Sequence, residues 1–474
     1  MGMRLYNSLT RKKEKFKPIK KGEAGIYACG PTVYDFLQIG NWRTYVLGDL
    51  LVRNLKYLGY ETKYVMNITD VGHLVSDGDE GEDKLEKGAK REGETAWDVA
   101  EKYTKDFKQG MHKLGLLKPK LVRATDHIKE QIELVKKLEK KGFAYKTSDG
   151  VYFDTTEFEK QGYKYGELST LDEIKEGARV EVNKKKKDKR DFALWKFSPK
   201  SEKRDMEWES PWGKGFPGWH IECSAMSMKY LGDQFDLHVG GEDLRSTHHP
   251  NEIAQSEGAT GKKPFVKYWV HGAFLLVDGG RMGKSLGNAY TLQDLDNKGF
   301  SPFDLKYFYL MGHYRKQLNF TWEALEGAKT ALERLRKRII NIDSRLRGND
   351  GGSDGGAPHQ AVQGAWESKF RERMEDDLDM PGALAVVWEM VKDKNLSDGE
   401  KLGLIEKWDE VLGLGLSKVE MKLEIPEDVV KLVEKRSRLR EEGKWNGADS
   451  IREEIEKLGY VVEDKGKETV VVRK

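Results

Sequence analysis

The sequence predicts an α/β fold, in which a parallel-sheet domain with an insertion precedes a helical bundle and a small C-terminal domain. Residues 24–68 run strand, loop, helix and strand, the order of a βαβ unit and of a Rossmann-type sheet. The α/β alternation resumes near Asp236, and from Phe303 onward the pattern is mainly helical. A chain of 474 residues is also too long for one core, so we expect several domains.

The βαβ unit locates the first candidate site. Residues 24–29 form a short apolar strand that Gly30 and Pro31 end, and Lys63 to Ile68 form the next strand. Because ligands bind at the C-terminal ends of parallel strands, we expect a site just after residue 29. Four leucines between the strands recur at helical spacing: Leu47, Leu51, Leu55 and Leu58.

The later segments set the domain boundaries. A strand-like region within about 125–205 is predicted as an insertion, and its basic run Lys184 to Arg190 is interpreted as a solvated loop, with a phosphate contact as the alternative. The Gly-rich stretch 347–361 contains too few apolar residues to join a core and is predicted as a flexible loop. The predicted domains are residues 1–302, 303–416 and 417–474.

Composition and charge restrict the classes of function. A net charge of +3 neither requires nor excludes nucleic acid as a partner. No apolar run approaches the roughly 20 residues that cross a bilayer, and Met1 to Lys15 lacks the apolar core of a signal peptide. With two cysteines and no disulfide framework, we expect a cytoplasmic monomer that contacts no membrane.

Two short motifs carry the residue types of a phosphate site. Gln38-Ile39-Gly40-Asn41 lies at a helix start, where glycine admits a close ligand and backbone N–H groups favour anions. The loop 279–290 is flanked by glycines and carries Arg281 and Lys284, two cations that can close over a polyphosphate. Each motif alone is also compatible with an ordinary turn or an exposed basic hairpin.

A second set of residues has the chemistry of a metal centre. Thiolates, an imidazole and a carboxylate are all Zn²⁺ ligands, and four of them make a tetrahedral set. Pro250 is expected in the first turn of a helix, and His249 is a second candidate ligand because spacing does not separate neighbouring histidines. The alternative for the two cysteines is a pair of small buried apolar residues. The candidate ligands are Cys29, Cys223, His248 and Glu252.

Together and in this order, the two motifs resemble the His-Ile-Gly-His and Lys-Met-Ser-Lys-Ser signatures of class I aminoacyl-tRNA synthetases. The resemblance narrows to the cysteinyl-tRNA synthetase family and runs from Leu5 to Asp464. Five blocks carry it: Cys29 to Asp35, Asn67 to Asp70, Asp191 to Lys196, Gly218 to Met226 and His248 to Ser256.

The resemblance implies ATP-dependent ligation of L-cysteine to tRNA(Cys) through a cysteinyl-adenylate, with ATP and Mg²⁺ as substrate and one Zn²⁺ per chain. In the family, the positions of the four candidate ligands bind zinc, and the sulfur of the substrate joins them as a thiolate. A soft sulfur suits Zn²⁺ better than a hydroxyl does, so no editing domain is expected. Residues 303–416 would form the anticodon-stem bundle, and 417–474 would recognise the anticodon.

The resemblance also implies individual roles. The residues implied in catalysis are Lys284, Gln38 and Arg281. Those implied in ATP binding are Gln38, Gly40, Asn41, Gly241, Asp243 and Lys284. Those implied in substrate binding are Gly30, Thr69 and Trp219, with His220 and His238 at the base of the site.

The chain departs from the family pattern at several positions. Gln38 replaces a histidine and cannot become a cation, and Arg281 and Gly283 replace lysine and serine. Thr247 and Pro250 differ from the usual run around the histidines. We expect an active enzyme with weakened ATP binding.

Two alternatives stay open. A paralogous ligase would transfer cysteine to a small amine, but the C-terminal segments that resemble anticodon-binding domains disfavour it. A catalytically idle zinc protein that binds RNA is favoured by Gln38 and disfavoured by Lys284 and the four ligands.

Overall fold

The computed structural model describes residues 2–72, 83–169, 185–199, 204–348, 360–418, 427–465 and 468–473. Lys184 and residues 349–359 of the predicted loop 347–361 lie outside the described residues. The chain divides into two compact units, Met1–Ser417 and Lys418–Lys474.

Strands and helices alternate in the first two thirds of the chain, and helices predominate after residue 320. The strands are β1 (Arg4–Asn7), β2 (Lys12–Lys15), β3 (Glu23–Ala28), β4 (Glu61–Ile68), β5 (Lys120–Arg123), β6 (Ala144–Lys146), β7 (Gly150–Phe153), β8 (Phe192–Phe197), β9 (Gly215–Pro217), β10 (Phe235–Gly241), β11 (Val266–Gly272), β12 (Leu275–Val277), β13 (Gly280–Arg281), β14 (Leu318–Phe320), β15 (Tyr460–Lys465) and β16 (Glu468–Arg473). The α-helices are α1 (Ile39–Tyr57), α2 (Lys84–Glu92), α3 (Ala96–Lys113), α4 (Ile128–Lys140), α5 (Thr155–Lys160), α6 (Trp219–Leu231), α7 (His248–Thr260), α8 (Leu292–Asn297), α9 (Pro302–Leu310), α10 (Trp322–Gly348), α11 (Gln360–Glu375), α12 (Met380–Met390), α13 (Asp398–Leu412), α14 (Glu427–Glu441) and α15 (Trp445–Lys457).

A five-stranded parallel sheet with the order β11-β10-β3-β4-β5 lies at the centre of the larger unit. This is the strand order of a doubly wound Rossmann sheet, so the predicted fold class is confirmed. The order reverses between β3 and β10. The C-terminal ends of these two strands therefore border a crevice in which a ligand can bind.

Helix α1 connects β3 to β4 and buries the face that the leucine spacing predicted. Leu47, Leu51 and Leu55 are buried in the main core, whereas Leu58 follows the last helical residue as the C-cap. The helix begins directly after Gln38, whose backbone N–H donates to Asn41 Oδ1 at 3.0 Å. The first motif thus lies at a helix start, as predicted.

The insertion forms an antiparallel sheet with the order β6-β7-β8-β9, which extends past residue 205 to Pro217. The edge strand β9 packs closely against β8 because Gly215 has no side chain: a Cβ there would lie 1.9 Å from the carbonyl oxygen of Lys196. The described part of the basic run pairs within the insertion. Lys187 Nζ lies 2.9 Å from Asp154 Oδ2, and Arg190 Nη1 lies 3.0 Å from Glu159 Oε2. These pairs favour the interpretation as a loop without a phosphate.

The helices between residues 302 and 412 share one hydrophobic core with α1 and the sheet. Residues on both sides of the predicted 302/303 boundary belong to one compact unit, and that boundary stays a prediction. Strand β14, which pairs parallel with β12, falls where the sequence predicts helix. In the smaller unit, α14 and α15 pack with a β15–β16 hairpin around five buried residues: Val429, Ile451, Ile455, Tyr460 and Val462.

Candidate active site and metal centre

A cavity of about 250 Å³ opens at the C-terminal ends of β3 and β10, where the strand order reverses. The segment after β3 forms one wall, and the residues that end β10 form the other. The lining also includes a residue of α6 and two lysines. The lining includes Cys29, Gly30, Gln38, Asn41, Trp219, Gly241, Asp243, Lys84 and Lys284.

The four candidate metal ligands converge at the base of this cavity. Cys29 follows β3, Cys223 lies in α6, and His248 and Glu252 share one face of α7 because they are four residues apart. The Sγ atoms of the two cysteines are 4.0 Å apart, and His248 Nε2 lies 3.1 Å from Glu252 Oε1. All four donor atoms lie within 4.8 Å of one another, and all four residues are buried.

This spacing fits a tetrahedral metal site. With Zn–S bonds of about 2.3 Å, two thiolates of a tetrahedral zinc centre are about 3.8 Å apart. The two Sγ atoms of Cys29 and Cys223 are 4.0 Å apart, which is close to that distance. Cys29 Sγ and Glu252 Oε1 are 3.9 Å apart. A pair of buried apolar cysteines would not require a carboxylate and an imidazole beside them, and a buried carboxylate costs free energy unless it is paired.

The electrostatics of the cluster act differently on its acidic donors. The hydrogen bond from the Cys29 thiol lowers the pKa of Cys223, while burial raises the pKa of Cys29. Burial acts to raise the pKa of Glu252, but His238 and His248 outweigh it and lower that pKa to about 2. Glu252 is therefore held as a carboxylate, the form in which a metal ligand binds.

Further histidines surround the cluster, and two of them create a second donor set. His249 Nε2 lies 3.4 Å from Cys29 Sγ, and His238 Nε2 lies 3.0 Å from Glu252 Oε2. Cys29, His238, His249 and Glu252 also have donor atoms within 4.8 Å of one another. His249 Nδ1 is 2.7 Å from Nε2 of His271, a histidine that the sequence analysis did not single out. The choice between His248 and His249 therefore stays open on geometry.

The implied substrate residues take different positions. Trp219 lines the cavity, and its ring centroid is 4.6 Å from that of His248. Gly30 also lines it, and a Cβ there would lie 1.7 Å from the carbonyl oxygen of Asn67. Thr69 is buried behind the described lining, where its hydroxyl donates to Glu222 Oε2 at 2.8 Å. Thr69 is therefore outside the described lining, and its implied role in substrate binding stays a prediction.

The two sequence motifs meet at the other end of the cavity. The backbone N–H of Ile39 donates to the Tyr290 carbonyl at 2.8 Å, and Gln38 pairs with Thr291 in an isolated antiparallel bridge. The Cβ position of Gly40 lies 3.5 Å from the Met282 thioether, so Gly40 packs against the loop and is not part of the described lining. The two motifs are therefore neighbours in the structure.

Lys284 reaches the cavity, but Arg281 does not reach its described lining. Lys284 lies in a short 3₁₀ turn, and its ammonium group forms an ion pair with Asp35. Arg91 Nη1 is 3.1 Å from the same carboxylate. Burial would raise the pKa of Asp35, but the ion pair with Lys284 outweighs burial and lowers it. Arg281 lies on β13 with an exposed side chain.

Sequence reasoning missed several cavity residues, among them one lysine and three consecutive residues after β3. Tyr34, Asp35 and Phe36 lie in or next to a block that resembled the family, so that block could have suggested them. Lys84 had no such signal, because it follows a run of acidic residues and lies far from both motifs in sequence. Its ammonium group is 5.8 Å from the Tyr34 ring centroid and 5.7 Å from the Trp219 ring centroid.

The Rossmann-type sheet, the crevice at its strand reversal and the paired motifs define the catalytic fold of a class I aminoacyl-tRNA synthetase. Residues 15–330 match the family model for the tRNA synthetases class I (C) catalytic domain. Residues 369–417 match the DALR domain, and residues 423–471 match the cysteinyl-tRNA ligase anticodon binding domain.

The chain belongs to the cysteine–tRNA ligase family. It is 47% identical over 469 residues to cysteine–tRNA ligase 1 of Burkholderia lata, covering 98% of this chain and 95% of the relative. It is 43% identical over 493 residues to the cysteine–tRNA ligase of Treponema denticola, covering 99% of both. The cysteine–tRNA ligase of Methanosarcina acetivorans is 42% identical over 478 residues, covering 98% and 97%.

The solved structures agree on the fold. Mycobacterium tuberculosis methionyl-tRNA synthetase in complex with methionyl-adenylate superposes with a TM-score of 0.61 at 14% identity, covering 84% of this chain and 92% of that one. At this identity the likeness shows the fold alone. In the described part of the chain, every helix is too short or too polar to span a membrane.

Proposed function

We propose that this protein ligates L-cysteine to tRNA(Cys) in two steps, cysteine activation by ATP and transfer to the tRNA. One observation carries the proposal: the same cavity has a metal-ligand cluster with two cysteines at its base and Lys284 at its rim. A thiol-bearing amino acid fits the first, and a polyphosphate fits the second. The proposal includes Mg²⁺ with ATP, a monomeric enzyme and a cytoplasmic location, where both free cysteines stay reduced.

The base of the cavity would select cysteine. Cys29, Cys223, His248 and Glu252 would hold a Zn²⁺ ion, which would bind the substrate sulfur as a thiolate and lower its pKa. A serine hydroxyl is a harder and much weaker ligand for such a site. Trp219, whose ring packs beside His248, would cover the substrate and exclude water.

The rim would promote adenylate formation. A carboxylate oxygen of cysteine bonds to the α-phosphorus, the bond from this phosphorus to the bridging oxygen breaks, and pyrophosphate leaves with the electron pair and Mg²⁺. Lys284 would exchange its ion pair with Asp35 for the phosphates and neutralise charge on the leaving group. Gly241 and Asp243 line the opposite wall and would contact the adenosine.

The second step would transfer the cysteinyl group from the adenylate to a ribose hydroxyl at the 3′ end of tRNA(Cys), releasing AMP. The match of residues 423–471 to a cysteinyl-tRNA ligase anticodon binding domain supports tRNA as the acceptor. It also disfavours a paralogue that transfers cysteine to a small amine.

Cysteine-dependent ATP–pyrophosphate exchange, followed by charging of tRNA(Cys), tests the proposal. We expect exchange with cysteine, little with serine, and charging of the tRNA. Exchange without charging would favour the ligase that acts on a small amine. The absence of exchange in a zinc-loaded protein that still binds tRNA would favour the idle RNA-binding alternative.

A matched pair of variants tests which histidine belongs to the metal set. If His248 is the ligand, His248→Ala loses bound zinc in a metal analysis, whereas His249→Ala retains it. The Cys223 thiolate favours this outcome, because Cys223 belongs only to the set that contains His248, and thiolates are preferred zinc ligands. The reverse result would assign the set with His238 and His249.

A further inference from the structure

We propose that Lys84 is a second catalytic cation of this site, which contacts the α-phosphate while the adenylate forms. The inference rests on the proposed function and adds a residue that neither sequence motif contains. In the described residues, the lysines that line the cavity are Lys84 and Lys284, and only Lys284 belongs to a recognised motif.

The backbone of Lys84 is fixed by its neighbours. Lys84 is the first residue of α2, and the buried Asp83 caps this helix by accepting from the backbone N–H of Leu85 at 2.8 Å. Asp83 also forms a buried ion pair with Arg204, whose guanidinium lies 3.8 Å from the centroid of the Phe216 ring. Because cap and ion pair are both buried, the start of α2 has a defined position relative to the cavity wall.

The side chain of Lys84 lies between the two aromatic walls of the cavity. Its ammonium group is 5.8 Å from the centroid of the Tyr34 ring and 5.7 Å from that of the Trp219 ring. Both distances are within the range in which a cation is attracted to the face of a ring. The Lys284 ammonium is also 5.8 Å from the Tyr34 ring, so one tyrosine has a cation contact from each lysine.

The two lysines differ in what they neighbour. Lys284 belongs to the signature loop and pairs with Asp35. Lys84 lies beside Trp219, whose ring centroid is 4.6 Å from that of His248 in the metal cluster. Lys84 is therefore one aromatic ring away from the base of the site, and Lys284 is at its rim.

This arrangement gives each lysine a different part of the reaction. The carboxylate of cysteine is only a few bonds from its sulfur, so a substrate anchored at the cluster presents the carboxylate beside Trp219. For the adenylate to form, the α-phosphorus of ATP must approach the cysteine carboxylate beside Trp219. As the carboxylate–phosphorus bond forms and the pyrophosphate bond breaks, negative charge spreads over the α-phosphate oxygens, where Lys84 would neutralise it. Lys284 would stabilise the departing pyrophosphate.

The test compares Lys84→Met, Lys84→Arg and Lys90→Met in the full-length, zinc-loaded protein. Lys90 lies on the same helix with an exposed side chain, so its variant removes the same charge away from the cavity. We expect Lys84→Met to lower kcat of cysteine-dependent ATP–pyrophosphate exchange by about 100-fold with little change in KM for cysteine, the scale for one preorganised donor. Lys84→Arg should restore part of the rate, and Lys90→Met should match the unmodified protein.

The zinc content and the thermal midpoint of each variant separate catalysis from structure. Unchanged zinc and midpoint together with a lower kcat support the proposal. A Lys84→Met rate equal to that of the unmodified protein overturns it, as does a loss of zinc or folding in both Lys84 variants, which would make the lysine structural. If the unmodified protein itself shows no exchange, the proposed function fails and the role of Lys84 fails with it.

Discussion

The metal-ligand cluster and the signature loop lie at two ends of one cavity, but they are built in opposite ways. In the cluster, every donor is buried: Cys29 is 8% exposed, Cys223 and His248 are 2% exposed, and Glu252 is fully buried. In the loop, the Lys284 side chain is 48% exposed and Leu286 is 63% exposed.

This difference in burial indicates that the cluster is rigid before substrate binds, whereas the loop cation can change its partner. The cluster is preorganised, because its donors are held by two helices, a strand and a network of hydrogen bonds that exist without substrate. The loop cation Lys284 forms an exposed, exchangeable ion pair with Asp35, which would let it move to the phosphates in the proposed reaction. Loss of a cluster ligand should therefore abolish function, and loss of a loop cation should reduce it by degrees.

The largest effect is expected from Cys223→Ser. The change should remove bound zinc and reduce cysteine-dependent exchange by more than about 1,000-fold, because even partners that only orient metal ligands are worth about 10- to 100-fold. Metal analysis and the exchange assay measure both. Ser227→Ala, one helical turn further along α6, is the matched control and should retain both. Full activity in a zinc-free Cys223→Ser protein would contradict the proposed metal centre.

The next effect is expected from Lys284→Ala. Removing this cation should lower kcat of exchange by about 100-fold and leave the zinc content unchanged, because Lys284 contacts no member of the cluster among the described interactions. Lys337→Ala, which removes an exposed lysine of α10, should have no effect on exchange. Loss of zinc in Lys284→Ala would break the comparison, since it would couple the two ends of the cavity.

A smaller effect is expected from Gln38→His. Gln38 lines the cavity beside Lys284 and donates hydrogen bonds only as a neutral amide, whereas a histidine can carry a positive charge toward phosphate. We expect the KM for ATP to fall a few-fold while the KM for cysteine stays constant. An unchanged ATP affinity would mean that the departure at this position does not weaken nucleotide binding.

Glu257→Gln should leave activity unchanged and alter only stability. Glu257 lies at the far end of α7 from His248, and burial raises its pKa from 4.5 to about 7. In this pH range the native state binds more protons than the unfolded chain, so Glu257 makes the protein less stable as the pH rises from 4.5 through 7.

The neutral amide of Glu257→Gln avoids this penalty, and Phe265 N–H, which donates to Glu257 at 3.0 Å, keeps an acceptor. We expect a stabilisation of about 1–3 kcal/mol at pH 8 and almost none near pH 4. Denaturant unfolding at both pH values measures the difference. A changed exchange rate would show that the two ends of α7 are coupled.

Local patterns were enough to predict much of the fold. The βαβ order, the leucine spacing of α1 and the helical character after residue 302 depend on near neighbours, and the structure contains each of them. The helix start before Pro250 was predicted for the same reason, and α7 begins at His248. Strand β14 was missed because its pairing partner, β12, lies about 40 residues earlier in the chain, and short apolar runs do not specify distant partners.

The sequence by itself determined which chemistry the candidate site offers: two thiols, an imidazole and a carboxylate as candidate metal ligands, and a glycine-flanked lysine as the candidate phosphate contact. It left open which of His248 and His249 faces the thiols, because spacing along the chain does not fix the side chains that a fold turns toward one another. Only the tertiary structure brought Lys84 to Trp219 and Asp35 to Lys284. The strand reversal between β3 and β10 made this possible, because it opens one crevice to which segments far apart in sequence all contribute.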